Sequence, residues 1–372
     1  MPEMLEASET DRRFMAAAIR FSDKHTGLTS TNPSVAALIV RDDGNGPVIV
    51  GQGVTALGGR PHAEPQALRQ AGELARGATA YVTLEPCAHH GHTPPCAEAL
   101  VAAGVARVVG AASDPDPRVS GRGYAMLRAA GIAVVEGVLA DKARDRMAGY
   151  FMRALKKRPE VTLKLAVSHD GKLGRRGAGQ VPITGEIARR QVHLMRARSD
   201  AILVGIGTVL ADDPMLDCRL EGLEERSPVR ILLDPHARLP VASKLVASAS
   251  NIPVFLATLA NADAGHRERL EQAGAQFLAA AEADGRIALP ELLQDLGTRG
   301  MATLMVEGGA ETARRFLEED VVDRIALFTG PGEIGPGGVT APIDAEHVPA
   351  AFRRIREAVF GADRYAEYIR KI

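Results

Sequence analysis

In "PHAEPQAL" a histidine and a glutamate, His62 and Glu64, stand two positions apart. Further on, "PCAHHGHTPPC" places Cys87 and Cys96 nine positions apart. These are the side chains that hold zinc. One imidazole and two thiolates give three protein ligands and leave the fourth tetrahedral position open, the pattern of catalytic rather than structural zinc. Water in that position becomes acidic enough to act as a nucleophile near neutral pH. Glu64, beside its ligand, can carry protons between that water and a substrate nitrogen. A purely structural zinc knuckle has no use for Glu64. The cysteine loop also carries His89, His90 and His92, so the choice of histidine ligand is a real one. The H-x-E spacing favours His62, because it supplies ligand and proton shuttle together.

The order H-x-E followed by P-C…C is that of the zinc nucleobase deaminases. Here eight residues rather than two separate the cysteines. The surrounding elements suit the role. "ATAYVTL" (78–84) is a strand that delivers Cys87, and "PCAEALVAAG" starts a helix at Cys96 behind a proline and stops at Gly104. A helix N-terminus lowers a thiol pKa, and metal lowers it further.

A wider reading gives alternating helices and strands. Asp11 to about Lys24 is a helix; "VAALIV" and "PVIVGQG" are strands joined across "RDDGNG"; "AEPQALRQAGELA" is helical. "ARVVGAA" and "IAVVEG" are strands around the helical "YAMLRAAG". The basic stretch "RALKKRPE" (153–160) marks a boundary, after which the alternation restarts with "VTLKLAVS", a helix over about 186–197, "DAILVG", "VRILLD", "PVFLAT", "ATLMVEGG" and "RIALFTG". "EADGRIALPELL" carries ordinary loop-to-helix signals. This is an α/β chain of two domains, expected at 1–155 and 156–372.

Composition narrows the function. Of 372 residues 46% are hydrophobic and 24% charged, and the net charge of −1 offers no basic excess for nucleic acid. There is no Trp, and aromatics are 4% of the chain, which argues against base-stacking platforms. No apolar run reaches the roughly 20 residues of a membrane span. The acidic start "MPEMLEASETDRRF" has no apolar signal region. Three cysteines cannot form a disulfide framework, which points to a reducing, cytoplasmic setting.

In the second half "LVGIGTVL" contains G-x-G without a third glycine, a weak dinucleotide signal. "EGGA" opening a helix is the better phosphate site, because glycines let backbone N–H groups approach an anion; a plain strand-to-helix turn explains the same glycines.

"TNPSVAALIV", "PHAE" and "YVTLEPCAHHGHTPPC", with "DPDPRVSGRG" after them, resemble the deaminase half of the bifunctional riboflavin-biosynthesis deaminase–reductases. "RPEVTLKLAVSHDGKLG", "ITGEIARRQVHLMRARSDAILVGIGTVLADDPMLDCRL" and "LMVEGGAETARRFL" resemble their reductase half. The resemblance covers roughly residues 11–330. It implies a cytidine-deaminase-like three-layer αβα domain followed by a dihydrofolate-reductase-like α/β domain. It implies zinc on His62, Cys87 and Cys96, with Glu64 as proton shuttle. It puts Ala166, Thr208, Asp212, Gly309 and Ala310 at the NADPH, and Arg196, Leu216, Arg219 and Glu307 at the substrate, with Lys164 and Asn32 as further substrate contacts. The reactions implied are deamination of a diaminopyrimidinone carrying a ribosylamino 5′-phosphate, then hydride transfer from NADPH to the ribosyl C1′. Two arginines near a sugar phosphate suit its oxygens, which guanidinium binds in a fork. The expected partners are these small phosphorylated pyrimidines, with no nucleic acid or membrane, and a homo-oligomer joined through the reductase half. Spacing alone does not separate Asp212 from Asp213, one of which should be a turn residue. Cys218 reads as structural or incidental.

Some positions depart from the family pattern: Thr55 where histidine is frequent, His92 where Lys or Arg is common, Asp116 for Asn, His169 for Leu and Pro182 for Trp. Two rival readings stand beside this one. A nucleoside or nucleic-acid deaminase with an unrelated or silenced C-terminal domain would need a basic groove. A zinc-stabilised binding protein would not need Glu64.

Overall fold

The computed structural model describes residues 6–90, 94–116 and 119–371. His92 and Thr93 of the cysteine loop lie outside the described residues. The chain divides into two compact units, Met1–Lys156 and Lys157–Ile372.

The first unit is built on β1 (Ala36–Arg41), β2 (Val48–Val54), β3 (Thr79–Leu84), β4 (Arg107–Ala112) and β5 (Ala133–Val135). Their order is β2-β1-β3-β4-β5. β1 runs antiparallel to both neighbours, and β3, β4 and β5 run parallel. β1, β3 and β4 are buried almost throughout. Strands covered on both faces read as continuous apolar runs, as these do. Helices α1 (Glu9–Ser22) and α5 (Ala140–Arg146) touch each other and the sheet, whereas α2 (Ala63–Ala71), α3 (Cys96–Ala102) and α4 (Arg122–Ala129) form a second contiguous set. The sheet is thus the middle of three layers. α6 (Ala148–Lys156) ends the unit.

Two glycines fix the helix that carries His62 and Glu64. A β-carbon on Gly51 would lie 2.2 Å from the Ala67 carbonyl oxygen, and one on Gly53 2.1 Å from that of Ala63. The α2 backbone therefore rests directly on β2. The helical pattern read through "GELA" breaks at Gly72, with φ of 54°, and continues as a 3₁₀ turn over Gly72–Ala75.

On the opposite face, Asp11 is fully buried. It accepts hydrogen bonds from Arg107 at 2.7 and 2.9 Å, from the Tyr81 hydroxyl at 3.0 Å and from Ser8 at 2.8 Å. Burial alone would raise its carboxyl, but Arg107, Ser8 and Tyr81 together hold it well below the usual range. Arg107→Leu strips the cation from a buried carboxylate, and about 3 kcal/mol of stability should be lost. Urea titration reads this directly; a loss below about 1 kcal/mol would place the pair among weak surface bridges.

The second unit contains β6 (Glu160–Val167), β7 (Lys172–Arg175), β8 (Ala201–Gly205), β9 (Val229–Leu233), β10 (Val254–Thr258), β11 (Gln276–Ala279), β12 (Glu282–Ala283), β13 (Arg286–Ile287), β14 (Thr303–Val306), β15 (Arg324–Thr329), β16 (Gly338–Thr340), β17 (Phe352–Phe360) and β18 (Asp363–Arg370). Nine strands form one sheet in the order β11-β10-β9-β8-β14-β6-β15-β18-β17. Strands β11 through β15 are parallel, and β18 and β17 close the edge antiparallel. The helices are α7 (Glu186–Arg196), α8 (Ile206–Asp212), α9 (Lys244–Ala247), α10 (Ala264–Gln272), α11 (Leu289–Thr298) and α12 (Ala310–Glu318). Leu232, Leu256 and Leu270 belong to one buried cluster, and Leu203, Ile231, Leu293 and Phe316 to another, so the sheet is covered on both faces. Among the described residues, no helix is long and apolar enough to cross a membrane.

Candidate functional site

His62 is the N-cap residue of α2, and Glu64 lies in its first turn. Cys87 follows the end of β3, and Cys96 opens α3. These placements bring His62 Nδ1 to 3.4 Å from Cys96 Sγ and 3.8 Å from Cys87 Sγ. The three ligand atoms lie within 4.8 Å of one another, the one such group found among the described residues. The loop is pinned by the Cys96 amide, which donates to Cys87 Sγ at 3.3 Å. His89 and His90 do not join the cluster. His89 Nδ1 is buried without a hydrogen-bond partner, and His90 Nε2 faces Glu98 at 3.5 Å.

The electrostatics of this cluster ask for a cation. A hydrogen bond from Cys96, with further help from His62, pulls the Cys87 thiol down to about 4 against the effect of burial. That same contact with Cys87, and burial after it, push Cys96 far upward. Two adjacent sulfurs cannot both ionise without a counter-charge. A divalent ion supplies it, and one nitrogen with two sulfurs is a donor set that zinc accepts. The contact with Cys87 also raises the His62 imidazole. Glu64 is 3% exposed, and burial, then the Cys87 charge, lift its carboxyl above the usual range.

The residues around this cluster include several that sequence reasoning missed. Glu85 is buried at the end of β3 and accepts from the amides of Gly121 and Gly123, both at 3.0 Å, and of Asp114 at 3.4 Å. It fastens the segment after β4 beside the cysteine loop. Asp114 in turn accepts from the Tyr150 hydroxyl at 2.8 Å, and burial raises its carboxyl. An acid directly before the "PC" of a strand end was the available signal. Asn32 donates to the Gly59 carbonyl at 3.1 Å, on the stretch that leads into His62. Thr55 acts within the fold, where its hydroxyl accepts from the Val35 amide at 3.0 Å.

In the second unit a cleft of about 1610 Å³ opens beyond the carboxyl ends of β6, β14, β8 and β9. That is where open α/β sheets bind ligands, and it exceeds the roughly 300–1,000 Å³ of an ordinary small-molecule pocket. Lys164, Arg196, Arg219 and Glu307 line it, as do Ala166, Thr208, Asp212, Gly309 and Ala310. Glu307 is held by Arg196 at 2.7 and 3.1 Å and by Lys164 at 3.4 Å. Burial would raise its carboxyl, but the Arg196 and Lys164 charges lower it to about 2. The Gly309 amide donates to the Thr208 hydroxyl at 3.2 Å. At Gly207 nothing lies within 4 Å of a β-carbon, and at Gly309 only the Thr208 hydroxyl does, at 3.5 Å. The cradle is therefore open to a ligand such as a dinucleotide phosphate.

Leu216 is different. It does not line the cleft; its side chain is 4% exposed and belongs to a hydrophobic core, with a left-handed φ of 55°. Any contact it makes to substrate falls to its main chain. Asp212 and Asp213 are now separated. Asp213, with φ of 39°, caps α8 and accepts from the Lys244 amide at 3.0 Å, while Asp212 lines the cleft. Pro182 also lines the cleft, whereas His169 is exposed outside it. Cys218 is buried with its thiol toward the His193 carbonyl at 3.5 Å.

Residues 8–112 match the cytidine and deoxycytidylate deaminase zinc-binding region, and residues 159–362 match the RibD C-terminal domain. The riboflavin biosynthesis protein RibD of Aquifex aeolicus is 40% identical over 329 residues, covering 88% of this chain and 89% of its own. The chain belongs to the RibD family. The Escherichia coli member is 38% identical over 87% of this chain and 89% of its own length. The structure of RibD from Acinetobacter baumannii superposes with a TM-score of 0.85 at 35% identity, covering 98% of this chain and 99% of that one. A Thermotoga maritima structure named as a diaminohydroxyphosphoribosylaminopyrimidine deaminase/5-amino-6-(5-phosphoribosylamino)uracil reductase gives 0.83 at 32% identity, covering 97% and 99%. Membership in the RibD family makes this chain a bifunctional deaminase and reductase of riboflavin biosynthesis, with zinc and NADPH as its cofactors.

Proposed function

We propose that the first unit deaminates 2,5-diamino-6-ribosylamino-4(3H)-pyrimidinone 5′-phosphate and that the second reduces the product's ribosyl group to ribityl. The observation that carries the first step is the buried convergence of His62, Cys87 and Cys96 beside Glu64. His62 Nδ1 and the two sulfurs would hold zinc, whose chemistry is to acidify the attacking water and steady the oxygen charge that develops. Glu64 takes the proton from that water and passes it to the ring nitrogen. A second proton then travels through the same carboxyl to the amino group, which leaves as ammonia. The raised carboxyl of Glu64 suits a group that must both accept and return a proton near neutral pH. Asn32, tied to the segment before His62, is the substrate contact on this side.

In the second unit NADPH, held at Ala166, Thr208, Asp212, Gly309 and Ala310, would supply the hydride. Reduction at C1′ breaks the C1′–O4′ bond, and O4′ must receive a proton. Lys164 presents an ammonium to the cleft and is set by Glu307. Arg196 is fixed by the same carboxylate, and Arg219 stands at the cleft's exposed rim for the sugar phosphate. The reading extends to a homo-oligomer joined through this unit, in a cytoplasmic setting.

The test separates zinc from cofactor. Cys87→Ser and Cys96→Ser should each lose zinc by elemental analysis, since a three-ligand site cannot spare one. Ammonia release then stops, while NADPH consumption continues with supplied deaminated intermediate. Full zinc occupancy in either variant would remove the ligand assignment.

A further inference from the structure

The stretch that carries Arg219 has little regular structure of its own, since residues 213–223 form neither helix nor strand. Leu216 and Cys218 are buried, while the Arg219 side chain is 64% exposed at the cleft. Its charge partner is Asp217, whose Oδ1 lies 3.3 Å from Arg219 Nε. An exposed pair of this kind holds a long side chain only weakly. Arginine gives up much rotamer freedom when a ligand fixes it, so a group that fixes it beforehand improves binding.

Helix α7 supplies that group. His193 and Arg196 stand one turn apart on it, and both line the cleft. Arg196 is largely committed: its Nε and Nη2 are on Glu307, and its Nη1 donates to the Asp217 carbonyl at 3.0 Å. His193 Nδ1 lies 3.1 Å from the same carbonyl and 3.3 Å from the Arg219 amide. His193 Nε2 lies 3.5 Å from Arg219 Nη2. Cys218, between Asp217 and Arg219, is fastened as well. Its thiol meets the His193 carbonyl at 3.5 Å, and its amide donates to the Ser227 hydroxyl at 2.9 Å.

The imidazole does this as a neutral ring. Burial, then the Arg196 and Arg219 charges, lower its pKa, so near neutral pH it offers one N–H and one lone pair. With the proton on Nδ1 it donates to the Asp217 carbonyl, and Nε2 accepts from the Arg219 guanidinium. With the proton on Nε2, Nδ1 accepts from the Arg219 amide, and Arg196 serves the carbonyl. Both forms grip Arg219, one at the tip of its side chain and the other at its root.

We propose that His193 is a positioning residue for the reduction, holding Arg219 in the pose that takes the 5′-phosphate and so making the reductase select phosphorylated over unphosphorylated substrate. The proposal rests on the reading that Arg219 meets the sugar phosphate. A phosphate oxygen gains a charge-assisted hydrogen bond from a guanidinium already in place, and the unphosphorylated compound has no group to use it.

Steady-state reduction by the full-length protein tests this, with the deaminated ribosylamino phosphate and its dephosphorylated form as substrates at saturating NADPH. His193→Ala should raise KM for the phosphorylated compound by about tenfold and leave kcat within about threefold, the mark of lost binding rather than lost chemistry. The dephosphorylated compound should show no such rise. His193→Asn places an amide where Nδ1 stands and should recover part of the loss. Adding His193→Ala to Arg219→Ala should cost nothing further, because the two side chains act as one unit. NADPH affinity by titration calorimetry should stay within about twofold in every variant, since the substituted groups do not share partners with the cofactor cradle. An additive loss in the double variant overturns the proposal, as does an equal loss with both substrates, which would mean a structural role for the ring. An Arg219→Ala variant that keeps its preference for the phosphorylated compound removes the phosphate assignment of Arg219 itself, and this proposal with it.

Discussion

Glu64→Gln should keep its zinc and lose deamination by about 10²–10⁴-fold, the usual worth of a positioned general acid–base group. The substitution is nearly isosteric, so the first turn of α2 and the His62 ligand stay in place. The amide, however, cannot accept a proton from water or return one to the ring nitrogen and the leaving amine. The expected result has three parts, measured on one sample. Zinc content remains at one per chain, ammonia release collapses, and NADPH oxidation with supplied deaminated intermediate stays at the unmodified rate. The third part follows because each unit has its own core and its own candidate site built from its own residues, and sites that share no partners behave almost independently. Ammonia release within about tenfold of normal would be too small a loss for a general acid–base role and would move the shuttle to another group. Loss of zinc in this variant would make Glu64 a support for the ligands rather than the carrier of protons.

What could be read in advance followed from how local each signal was. The ligand set was legible because each ligand sits where an element begins or ends: His62 before α2, Cys87 after β3, Cys96 at the start of α3. The interior strands were legible because burial on both faces forces continuous apolar runs. The β17–β18 hairpin was not. "FRRIREAVF" lies at the sheet edge and is mostly exposed, so its charges hide the strand pattern. The short β12–β13 hairpin hid in "EADGRI", although its Asp-Gly turn was visible. Spacing could not sort His89 and His90 from His62; the backbone path did that, leaving both outside the cluster. Leu216 was expected at the substrate, yet its left-handed backbone turns an apolar side chain into the core. Glu85 and Asp114 were missed for a shared reason. Their partners are backbone amides or side chains that only the folded chain brings near.

Glu307→Gln should be the most damaging single change in the second unit. Glu307 is 10% exposed and faces two cations, Arg196 at 2.7 Å and Lys164 at 3.4 Å. Its carboxyl is lowered from 4.5 to about 2 in the folded chain. A lowered carboxylate stabilises the fold fully above its unfolded pKa and loses that contribution as pH falls through the folded value. The window therefore runs from about 4.5 down to about 2, and the shift corresponds to on the order of 3 kcal/mol. The Gln variant has no such contribution to lose. Its stability should be lower at neutral pH, and its decline with acid correspondingly shallower between those limits. Catalysis should suffer separately, because the amide leaves Arg196 and Lys164 as two buried cations without a counter-charge. Reduction should fall by about 10²–10³-fold, the cost of removing one preorganised electrostatic group, while ammonia release persists and the deaminated ribosylamino compound accumulates. Stopped-flow NADPH oxidation beside an ammonia assay reads both. If reduction survives within about tenfold while the acid window flattens as described, Glu307 is a structural counter-ion only, since a group acting on the reaction costs more than that. If reduction collapses with the acid profile unchanged, the carboxylate acts on the substrate rather than on the arginine and lysine that hold it.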